Sequence, residues 1–534
     1  MKKKQTAIVT FLFFLFTGSA AADYRPIDGR GANIEHPEYG ASDIHLLLTN
    51  SGSHYADGIS KMAGQSRPNP RAVSNGIFKQ LESKPNKLGR SDFMWTWGQF
   101  LDHDLGLTEG NREPALIPVP SGDPAFDPQG SGLQSIPFFR AIFDPLTGLS
   151  GNNPRRQLNE ITGYIDASNV YGSDYDRANW LRTGHGGSLK VTHTHDVGDL
   201  LPYNDGTQKN AGSPEVPNLS KELFVAGDIR ANEQPTLAVM HTLFVREHNW
   251  QANRIAREKP QFKDEEIYQR ARRIVIGEIQ SITYNEFLPA LLGEGVISTV
   301  AHYNPNVNPG IAAVFSTAAY RLGHTLLSPS IQLLAENGSP VADPIQLRDA
   351  FFDAAPPILS SLGIEPFLRG VAHQRAQELD NEVIDDVRNF LFGPPGAGGL
   401  DLIALNIQRG RDMGLPDYNT LRQDYGLPKM RSFKKITTDK TKASNLKQLY
   451  LSIDNIDPFV GMLCEDQMKG SMIGETLRTV LVDQFTRLRD GDPFFYTRYL
   501  RESDLEQVKK TRLSDIIKRN TVIHSIQDNV FQVQ

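Results

Sequence analysis

The sequence predicts a mainly α-helical protein with long ordered loops. Apolar residues recur at helical spacing in three long stretches, 90–104, 236–256 and 272–292. Segments rich in proline and glycine, such as 108–151, separate the helical stretches and are expected to be loops. By length alone, 534 residues would suggest about three domains. We nevertheless expect one large domain, because no linker-like segment, repeat or low-complexity run divides the chain.

The N-terminus has the pattern of a signal peptide, residues 1–22. Lysines at positions 2–4 precede a short apolar core at 7–16, and the small residues at 19–22 offer cleavage sites. The alternative is a retained N-terminal anchor. No later segment is apolar enough to span a membrane. We therefore expect a secreted or periplasmic protein, and the net charge of −6 gives no indication of nucleic-acid binding.

Residues 23–75 are rich in Gly, Asn, Pro and Ser and are predicted to form an irregular N-terminal arm. Cys464 is the only cysteine of the chain, so no intrachain disulfide can form. A chain of this length can bury a core large enough to be stable without such cross-links.

The helix predicted over 90–104 has an apolar stripe that includes Trp97 and Phe100. Ser91 is the predicted N-cap of this helix. Asp92 falls in the first turn, where the helix dipole favours an acidic side chain.

The same helix ends in a polar cluster. Gln99, Asp102 and His103 are spaced i, i+3 and i+4 and therefore share one face. Asp104 is turned about 100° from His103 by the helical period. The helix can thus direct an amide, a carboxylate and an imidazole into a cavity, while a second carboxylate points elsewhere. A solvated or capping cluster is the alternative interpretation.

Oxygen-bearing residues alternate in the segment 157–173. Thr162, Tyr164, Asp166 and Ser168 can offer hydroxyl, backbone carbonyl and carboxylate oxygens to one hard cation. Ca²⁺ prefers six to eight such ligands. A short strand followed by a turn is the alternative.

A helix is predicted over 309–327, with Pro309 at its start. Arg321 and His324 are spaced i and i+3 on one face of it. Gly323 leaves room for a bulky planar group to approach the backbone. The alternative for His324 is a hydrogen-bonded core residue, and Arg230 and Glu233, in the segment 224–235, can equally be a surface ion pair.

Five motifs, in chain order, resemble those of the animal-type haem peroxidases, the peroxidase–cyclooxygenase superfamily. They are WGQFLDHD, the 157–173 segment, FVAGDIRANEQP, YRLGHTL and LNIQRGRDMG. The likeness runs from about Arg67 to about Phe531. It implies a single large all-helical haem peroxidase domain, residues 76–534, with long ordered loops and little β structure. The simple lysine-rich signal and the absence of disulfides indicate a bacterial member of the family.

The resemblance assigns His324 as the ligand of the haem iron. Asn406 would accept the N–H of this histidine and fix its orientation. Arg409 would pair with a haem propionate. Arg321 would lie near a propionate or on the proximal side of the ring.

The resemblance also assigns the opposite, distal side of the haem. His103 would transfer a proton from hydrogen peroxide to the leaving oxygen, and Arg230 would stabilise the charge that develops there. Gln99 would bind distal water, where a halide would also bind. Asp102 and Glu233 correspond to the carboxylates that form esters with the haem, so the cofactor would be a covalently attached haem b derivative.

The 157–173 segment resembles the calcium loop of the family. Thr162, Tyr164, Asp166 and Ser168 would be ligands, together with Asp104, which follows the distal His103 in sequence. A bound Ca²⁺ would therefore hold the end of the distal helix.

The resemblance implies that hydrogen peroxide yields a ferryl porphyrin radical, which oxidises bromide, iodide, thiocyanate or phenolic donors. In one member of the family a Met after the ester Glu makes a third, sulfonium link to haem. Gln234 stands there in this chain, so no third link is expected. One alternative is a fatty-acid dioxygenase. The catalytic Tyr of those enzymes corresponds to Arg321 in this chain, and the nearest tyrosine, Tyr320, is one position away from it. Another is an adhesion or matrix protein with a vestigial haem site.

Overall fold

The computed structural model describes residues 24–212, 216–352 and 355–534. The predicted signal peptide, residues 1–22, lies outside the described residues. In the described part, the fold is mainly α-helical with long irregular segments, as the sequence predicted. No helix within these ranges is both long enough and apolar enough to cross a bilayer.

The α-helices, in chain order, are α1 (Pro70–Ile77), α2 (Phe93–Leu105), α3 (Ser168–Tyr171), α4 (Tyr175–Leu181), α5 (Pro235–Glu258), α6 (Asp264–Ile282), α7 (Leu288–Leu292), α8 (Ala313–Thr317), α9 (Ala355–Leu362), α10 (Glu365–His373), α11 (Asp385–Arg388), α12 (Leu402–Asp412), α13 (Tyr418–Asp424), α14 (Phe433–Ile436), α15 (Lys440–Tyr450), α16 (Pro458–Cys464), α17 (Glu475–Asp490), α18 (Tyr496–Tyr499), α19 (Glu502–Lys510) and α20 (Leu513–Asn520). Short 3-10 helices span Ala319–Thr325, Leu347–Asp349 and Ile453–Asn455, and a π-helical turn spans Thr283–Phe287.

The strands are short and form antiparallel pairs. They are β1 (Ile44–His45), β2 (Gly110–Pro114), β3 (Ile117–Pro118), β4 (Ser135–Ile136), β5 (Phe139–Ala141), β6 (Leu158–Asn159), β7 (Ser330–Ile331) and β8 (Ile345–Gln346). The pairs are β1 with β6, β2 with β5, β3 with β4 and β7 with β8. Among the described residues no sheet has more than two strands, so helix packing builds the core.

Helices α2, α5 and α6 lie at the centre of the core. The apolar stripe predicted for α2 is buried, and Trp97 and Phe100 are both inaccessible to solvent. Phe100 stacks on Phe244 of α5 with ring centroids 5.0 Å apart. This aromatic packing fixes α2 against α5 and thereby the direction in which the polar residues of α2 point.

The start of α2 differs from the prediction. Asp92 and not Ser91 occupies the N-cap position. The Ser91 hydroxyl donates a hydrogen bond to the carbonyl of Val530, and the Asp92 carboxylate accepts one from the Ser328 hydroxyl at 2.9 Å. The Ser91 oxygen still accepts the N–H of Phe93 at 3.3 Å. Both side chains also bind distant parts of the chain, however, and local capping preferences do not include such partners.

The long helices predicted around 236–256 and 272–292 are present. The first is α5, and the second begins earlier than predicted as α6 and continues through the π turn into α7. The boundary of the N-terminal arm, placed at residue 75, falls inside α1. This helix starts at Pro70, and the side chain of Asn69 caps it by accepting the N–H of Ala72 at 3.0 Å.

The prediction that a helix starts at Pro309 was wrong. Residues 309–312 run extended beside Leu47: its N–H donates to the Ile311 carbonyl at 2.9 Å, and its carbonyl accepts from Ala313 at 2.8 Å. The Gln484 side chain adds a hydrogen bond to the Pro309 carbonyl at 3.1 Å. These partners satisfy the backbone without a helix.

The helix itself is divided. After α8, Ala318 leaves the helical conformation with φ −134° and ψ −61°, and a 3-10 helix follows from Ala319 to Thr325. In a 3-10 helix residues i and i+3 eclipse each other. Arg321 and His324 therefore still share one face, as their spacing predicted.

A buried ionic cluster joins the C-terminal helix α20 to α5 and α6. Arg519 donates to Glu247 at 2.8 Å and to Glu278 at 2.9 Å, and both carboxylates are fully buried. Burial and the neighbouring Glu247 raise the pKa of Glu278 well above its ordinary value. One cation thus serves two carboxylates.

Candidate active site

A cavity of about 360 Å³ lies between α2, the loop before α5, the 3-10 helix Ala319–Thr325 and α12. Most of the residues that the sequence singled out for haem chemistry line it. They are Gln99, Asp102, His103, Arg230, Glu233, Arg321, His324 and Arg409. The volume is in the range of small-molecule sites, about 300–1,000 Å³.

His103 is held at the end of α2 with only 2% of its surface exposed. Its two ring nitrogens face different carboxylates. Nδ1 lies 3.5 Å from Asp228 Oδ1, and Nε2 lies 3.5 Å from Glu233 Oε2. The ring centroid of a second buried histidine, His241, is 6.3 Å away.

Arg230 is clamped by Asp228. Its Nε and Nη2 donate to the two carboxylate oxygens at 2.8 Å each, and its backbone N–H donates to Oδ1 at 2.8 Å. Burial alone would lower the pKa of Arg230 and raise that of Asp228, but the ion pair raises the first and holds the second well below its ordinary range. Both groups are therefore charged.

Sequence reasoning had assigned no role to Asp228. The signal was present, since an Asp two residues before an Arg in a turn can bind both its backbone N–H and its side chain.

Gln99 is fixed by two neighbours in the loop before α5. It donates a hydrogen bond to Glu233 Oε2 at 2.8 Å and accepts one from Gln234 at 3.1 Å. The side-chain oxygen of Gln234, Oε1, in turn accepts a hydrogen bond from the backbone N–H of Thr236 at 2.7 Å and caps α5. The capping role of Gln234 was not predicted.

The two carboxylates predicted to form esters both reach the cavity. Burial raises the pKa of Asp102, although Arg230, with Nη1 at 3.8 Å, opposes the change. For Glu233 the balance is reversed: burial would raise its pKa, but His103, Arg230 and Gln99 together lower it. Their side chains are 38% and 26% exposed, respectively.

His324 lines the cavity from the 3-10 helix. Burial, with Arg321 nearby, lowers the pKa of His324 to about 3. Its imidazole is therefore neutral, which a metal ligand requires.

The hydrogen bonds behind His324 differ from the prediction. Nδ1 of His324 faces the amide nitrogen of Asn406 at 2.8 Å, whereas the Asn406 oxygen accepts a hydrogen bond from Arg321 at 2.6 Å. A charged guanidinium is the stronger donor, so the amide turns its oxygen toward Arg321 and its nitrogen toward His324. The predicted bond from the His324 N–H to that oxygen is not made in this arrangement.

Two arginines bring positive charge to the cavity. Arg409 donates to Asp412 at 2.9 Å and lies over the ring of Phe138. Arg321 makes no ion pair with any carboxylate in the described ranges. Burial and the neighbouring Arg409 lower the pKa of Arg321 to about 10. This uncompensated charge suits an anionic group.

These residues fit an iron porphyrin. The cavity combines a neutral imidazole for the metal, a guanidinium without an ion pair for a carboxylate, and apolar wall residues such as Leu322, Phe351 and Val387. A Cβ added at Gly323 would meet no atom within 4 Å, so this glycine leaves open space beside His324.

The end of α2 also meets the predicted calcium loop. The carboxylate of Asp104 accepts hydrogen bonds from the backbone of Asp166 at 3.1 Å and from the Ser168 hydroxyl at 2.7 Å. Asp166 Oδ1 accepts from the Thr162 hydroxyl at 2.9 Å. The Tyr164 hydroxyl donates to the Tyr39 carbonyl at 2.7 Å, so its phenol is engaged elsewhere and only its backbone could serve the loop.

The charge balance of this loop suits a cation. Asp104 and Asp166 are both buried, and Asp166 Oδ2 has no hydrogen-bond partner among the described residues. Burial and Asp166 raise the pKa of Asp104 to about 8. Asp166 of the loop and Asp104 of α2 supply two carboxylates, and the described ranges hold no group of three or more His, Cys, Asp or Glu placed to bind a metal. Hydroxyl and carbonyl oxygens would have to complete the shell.

Comparison with known proteins gives matches over the whole described chain. The sequence model of the animal haem peroxidase family matches residues 24–531. Peroxinectin A of Dictyostelium discoideum is 35% identical over 98% of both chains. The human peroxidasin homolog is 36% identical over 96% of this chain but only 37% of its own length. Human eosinophil peroxidase is 34% identical, with coverage of 95% and 76%.

The fold agrees with these matches. The structure of peroxidase A from D. discoideum superposes with a TM-score of 0.87 and 34% identity, over 95% of this chain and 99% of that one. A fatty acid α-dioxygenase of Arabidopsis thaliana has a TM-score of 0.78 at 21% identity, which shows a shared fold alone. The chain is thus an oxidoreductase of the haem peroxidase type and belongs to the animal haem peroxidase family.

Proposed function

We propose that the protein reduces hydrogen peroxide at a haem held by His324 and oxidises a small anion or a phenol in return. The observation that carries this proposal is that one cavity is lined by the neutral His324 and also by His103 and Arg230. The haem, when bound, would supply the oxidising chemistry, and the protein would supply orientation, proton transfer and charge.

On the distal side, His103 takes the proton of hydrogen peroxide and delivers it to the departing oxygen. Arg230 stabilises the negative charge on that oxygen, and its rigid pairing with Asp228 supports this role because preorganised charges need no rearrangement during the reaction. Gln99 binds water or the donor anion, with its amide orientation set by Glu233 and Gln234.

The remaining cavity residues hold the cofactor. Asp102 and Glu233 would hold a haem b derivative through ester bonds, and their position in the cavity lining supports this role. Arg321 and Arg409 would bind the propionates. With Arg321 engaged by a propionate, the Asn406 amide would be free to turn its oxygen toward the N–H of His324 and orient the ring. With Gln234 after Glu233, no third covalent link forms, which favours bromide, iodide, thiocyanate or phenols over chloride.

A Ca²⁺ ion bound by Asp104, Thr162, Tyr164, Asp166 and Ser168 completes the proposed site. The unpartnered oxygen of Asp166 and the high pKa of Asp104 support it, because a divalent cation would neutralise both carboxylates. We further propose that residues 76–534 are the catalytic domain and that the protein acts outside the cytoplasm, as the signal-peptide pattern of residues 1–22 favours.

A fatty-acid dioxygenase activity is the second candidate, suggested by the shared fold. It is less well supported, because Arg321 stands where that chemistry needs a tyrosine and Tyr320 is one residue away. A matrix or adhesion protein with a vestigial haem is disfavoured by the presence of both His103 and Arg230.

The deciding experiment is the absorption spectrum of the haem-loaded protein before and after one equivalent of hydrogen peroxide. We expect an immediate shift of the Soret band and its recovery when bromide, thiocyanate or a phenol is added. A Soret band that ignores peroxide would contradict the proposed function. Conversion of a fatty acid with uptake of molecular oxygen would support the second candidate instead.

A further inference from the structure

The carboxylate of Asp228 lies between the two side chains that act on peroxide in the proposed function. Asp228 is 3% exposed and sits in the loop before α5. Its backbone N–H donates to the Asn169 carbonyl at 3.1 Å, and the Asn169 side chain donates to the Phe100 carbonyl in α2 at 2.6 Å. Asn169 therefore ties the loop that carries Asp228 to the helix that carries His103.

Asp228 controls where Arg230 points. Three hydrogen bonds of 2.8 Å fix the guanidinium and the backbone of Arg230 on one carboxylate. A second carboxylate, that of Asp102, lies 3.8 Å from Nη1 of Arg230 and competes with Asp228 for the guanidinium. Without Asp228, the guanidinium would be free to pair with Asp102 at the haem-linking position.

Asp228 also distinguishes the two nitrogens of His103. Nδ1 is buried, makes no hydrogen bond and has Asp228 Oδ1 at 3.5 Å. A charged carboxylate at that distance favours the tautomer with its proton on Nδ1. Glu233 lies equally far from Nε2 and would compete as a free carboxylate, but its ester to haem in the proposed function removes that charge. Nε2 is then left unprotonated on the other side of the ring, beside Glu233. A base that accepts a proton from peroxide needs this free nitrogen.

We propose that Asp228 is a positioning residue for the peroxide step, which holds Arg230 in place and keeps Nε2 of His103 available. The inference rests on the proposed peroxidase function. It concerns only the reaction with peroxide, because Asp228 acts through His103 and Arg230 and does not itself line the cavity.

The test is Asp228→Asn in the haem-loaded protein, with kcat/KM measured separately for peroxide and for a phenolic donor. We expect kcat/KM for peroxide to fall about 100-fold, the usual effect of a misplaced catalytic group, and kcat/KM for the donor to stay unchanged. A merely structural role would reduce both constants in proportion to the folded fraction. Equal losses, or an unchanged peroxide constant, would overturn the proposal.

Asp504→Asn is the matched control. Asp504 is 4% exposed and forms a similar two-pronged pair with Arg270, at 3.2 and 3.0 Å, outside the cavity. Its replacement should leave both constants unchanged. Asp228→Glu keeps the charge but displaces it by one methylene, and it too should lower only the peroxide constant, which tests the proposal if the Asn variant does not fold.

The proposed function and this inference fail in different ways. If the wild-type protein does not react with peroxide, the proposed function is wrong. If the wild type reacts and Asp228→Asn reacts at the same rate, only the role of Asp228 is wrong.

Discussion

Replacing Arg321 with Met removes a buried charge that has no carboxylate partner in the described protein. Burial and the nearby Arg409 lower the pKa of Arg321 from its ordinary value to about 10. At about 1.4 kcal/mol for each unit, burial of this charge costs about 3 kcal/mol. The guanidinium recovers part of this through its hydrogen bonds to Asn406 at 2.6 Å and to the Ser316 carbonyl at 3.2 Å.

The cost of burying the Arg321 charge and the gain from its hydrogen bonds are similar in size. Hydrogen bonds that involve a charged group contribute about 1.5–3 kcal/mol. We therefore expect Arg321→Met to change the free energy of unfolding of the haem-free protein by less than about 1 kcal/mol. Haem binding should weaken by about 2 kcal/mol, or about 30-fold, because the charge-assisted bond to a propionate is lost.

Arg422→Met provides the contrast. Arg422 is also buried but donates to Glu465 at 3.1 Å and to Glu475 at 2.7 Å. Its loss leaves the buried Glu465 without its cation, with hydrogen bonds only from Tyr418 and Thr476, and should cost about 3 kcal/mol. Urea unfolding measures the stability of both variants, and a Soret titration measures haem affinity. Equal destabilisation by the two substitutions, or unchanged haem affinity in Arg321→Met, would refute the reasoning.

Four further outcomes are expected. His324→Ala should abolish stable haem binding, because the iron loses its ligand from the protein, and a normal Soret band in this variant would contradict the assignment. Acidic organic solvent should extract haem from the double variant Asp102→Ala and Glu233→Ala but not from the wild type, and complete extraction from the wild type would exclude the esters. Chelation of Ca²⁺ should lower the melting temperature and alter the Soret band, and Asp166→Ala should do the same in excess Ca²⁺; insensitivity to both treatments would rule out the site. The raised pKa of Glu278 means that the folded protein keeps a proton that the unfolded chain releases above about pH 4.5, so stability should fall as pH rises through the folded pKa. Urea unfolding at a series of pH values above about pH 4.5 should show a flatter decline for Glu278→Gln than for the wild type, and an unchanged slope would show that another group is responsible.

Local sequence patterns predicted the helices well where the helix face is long and apolar. The stripe of α2 and the periodic stretch that became α5 are confirmed because their packing follows directly from side-chain spacing. The mainly α fold class follows from the same signal and from the family resemblance.

The segment that begins at Pro309 shows where such patterns fail. Proline is a good first residue of a helix, but here Leu47 and Gln484 offer backbone partners from far along the chain. Periodicity contains no information about these partners. The start of α2 was misjudged for the same reason, since Ser91 binds the distant Val530.

The candidate site shows the same division. The family resemblance assigned His103, Arg230 and His324 to one haem site, and all three line the same cavity. The sequence did not predict the directions of the hydrogen bonds around Asn406 or the contacts of Asp228. Both depend on which of several nearby groups is the stronger hydrogen-bond partner.

Position 234 links helix stability to cofactor chemistry. The oxygen of Gln234 caps α5, and its nitrogen holds Gln99. A methionine there could join the porphyrin through sulfur, but it would leave the first turn of a 24-residue helix without its side-chain cap, at a cost of about 1 kcal/mol. A third link to the porphyrin and a better-anchored helix are therefore competing uses of one residue, and this chain has the residue that favours the helix.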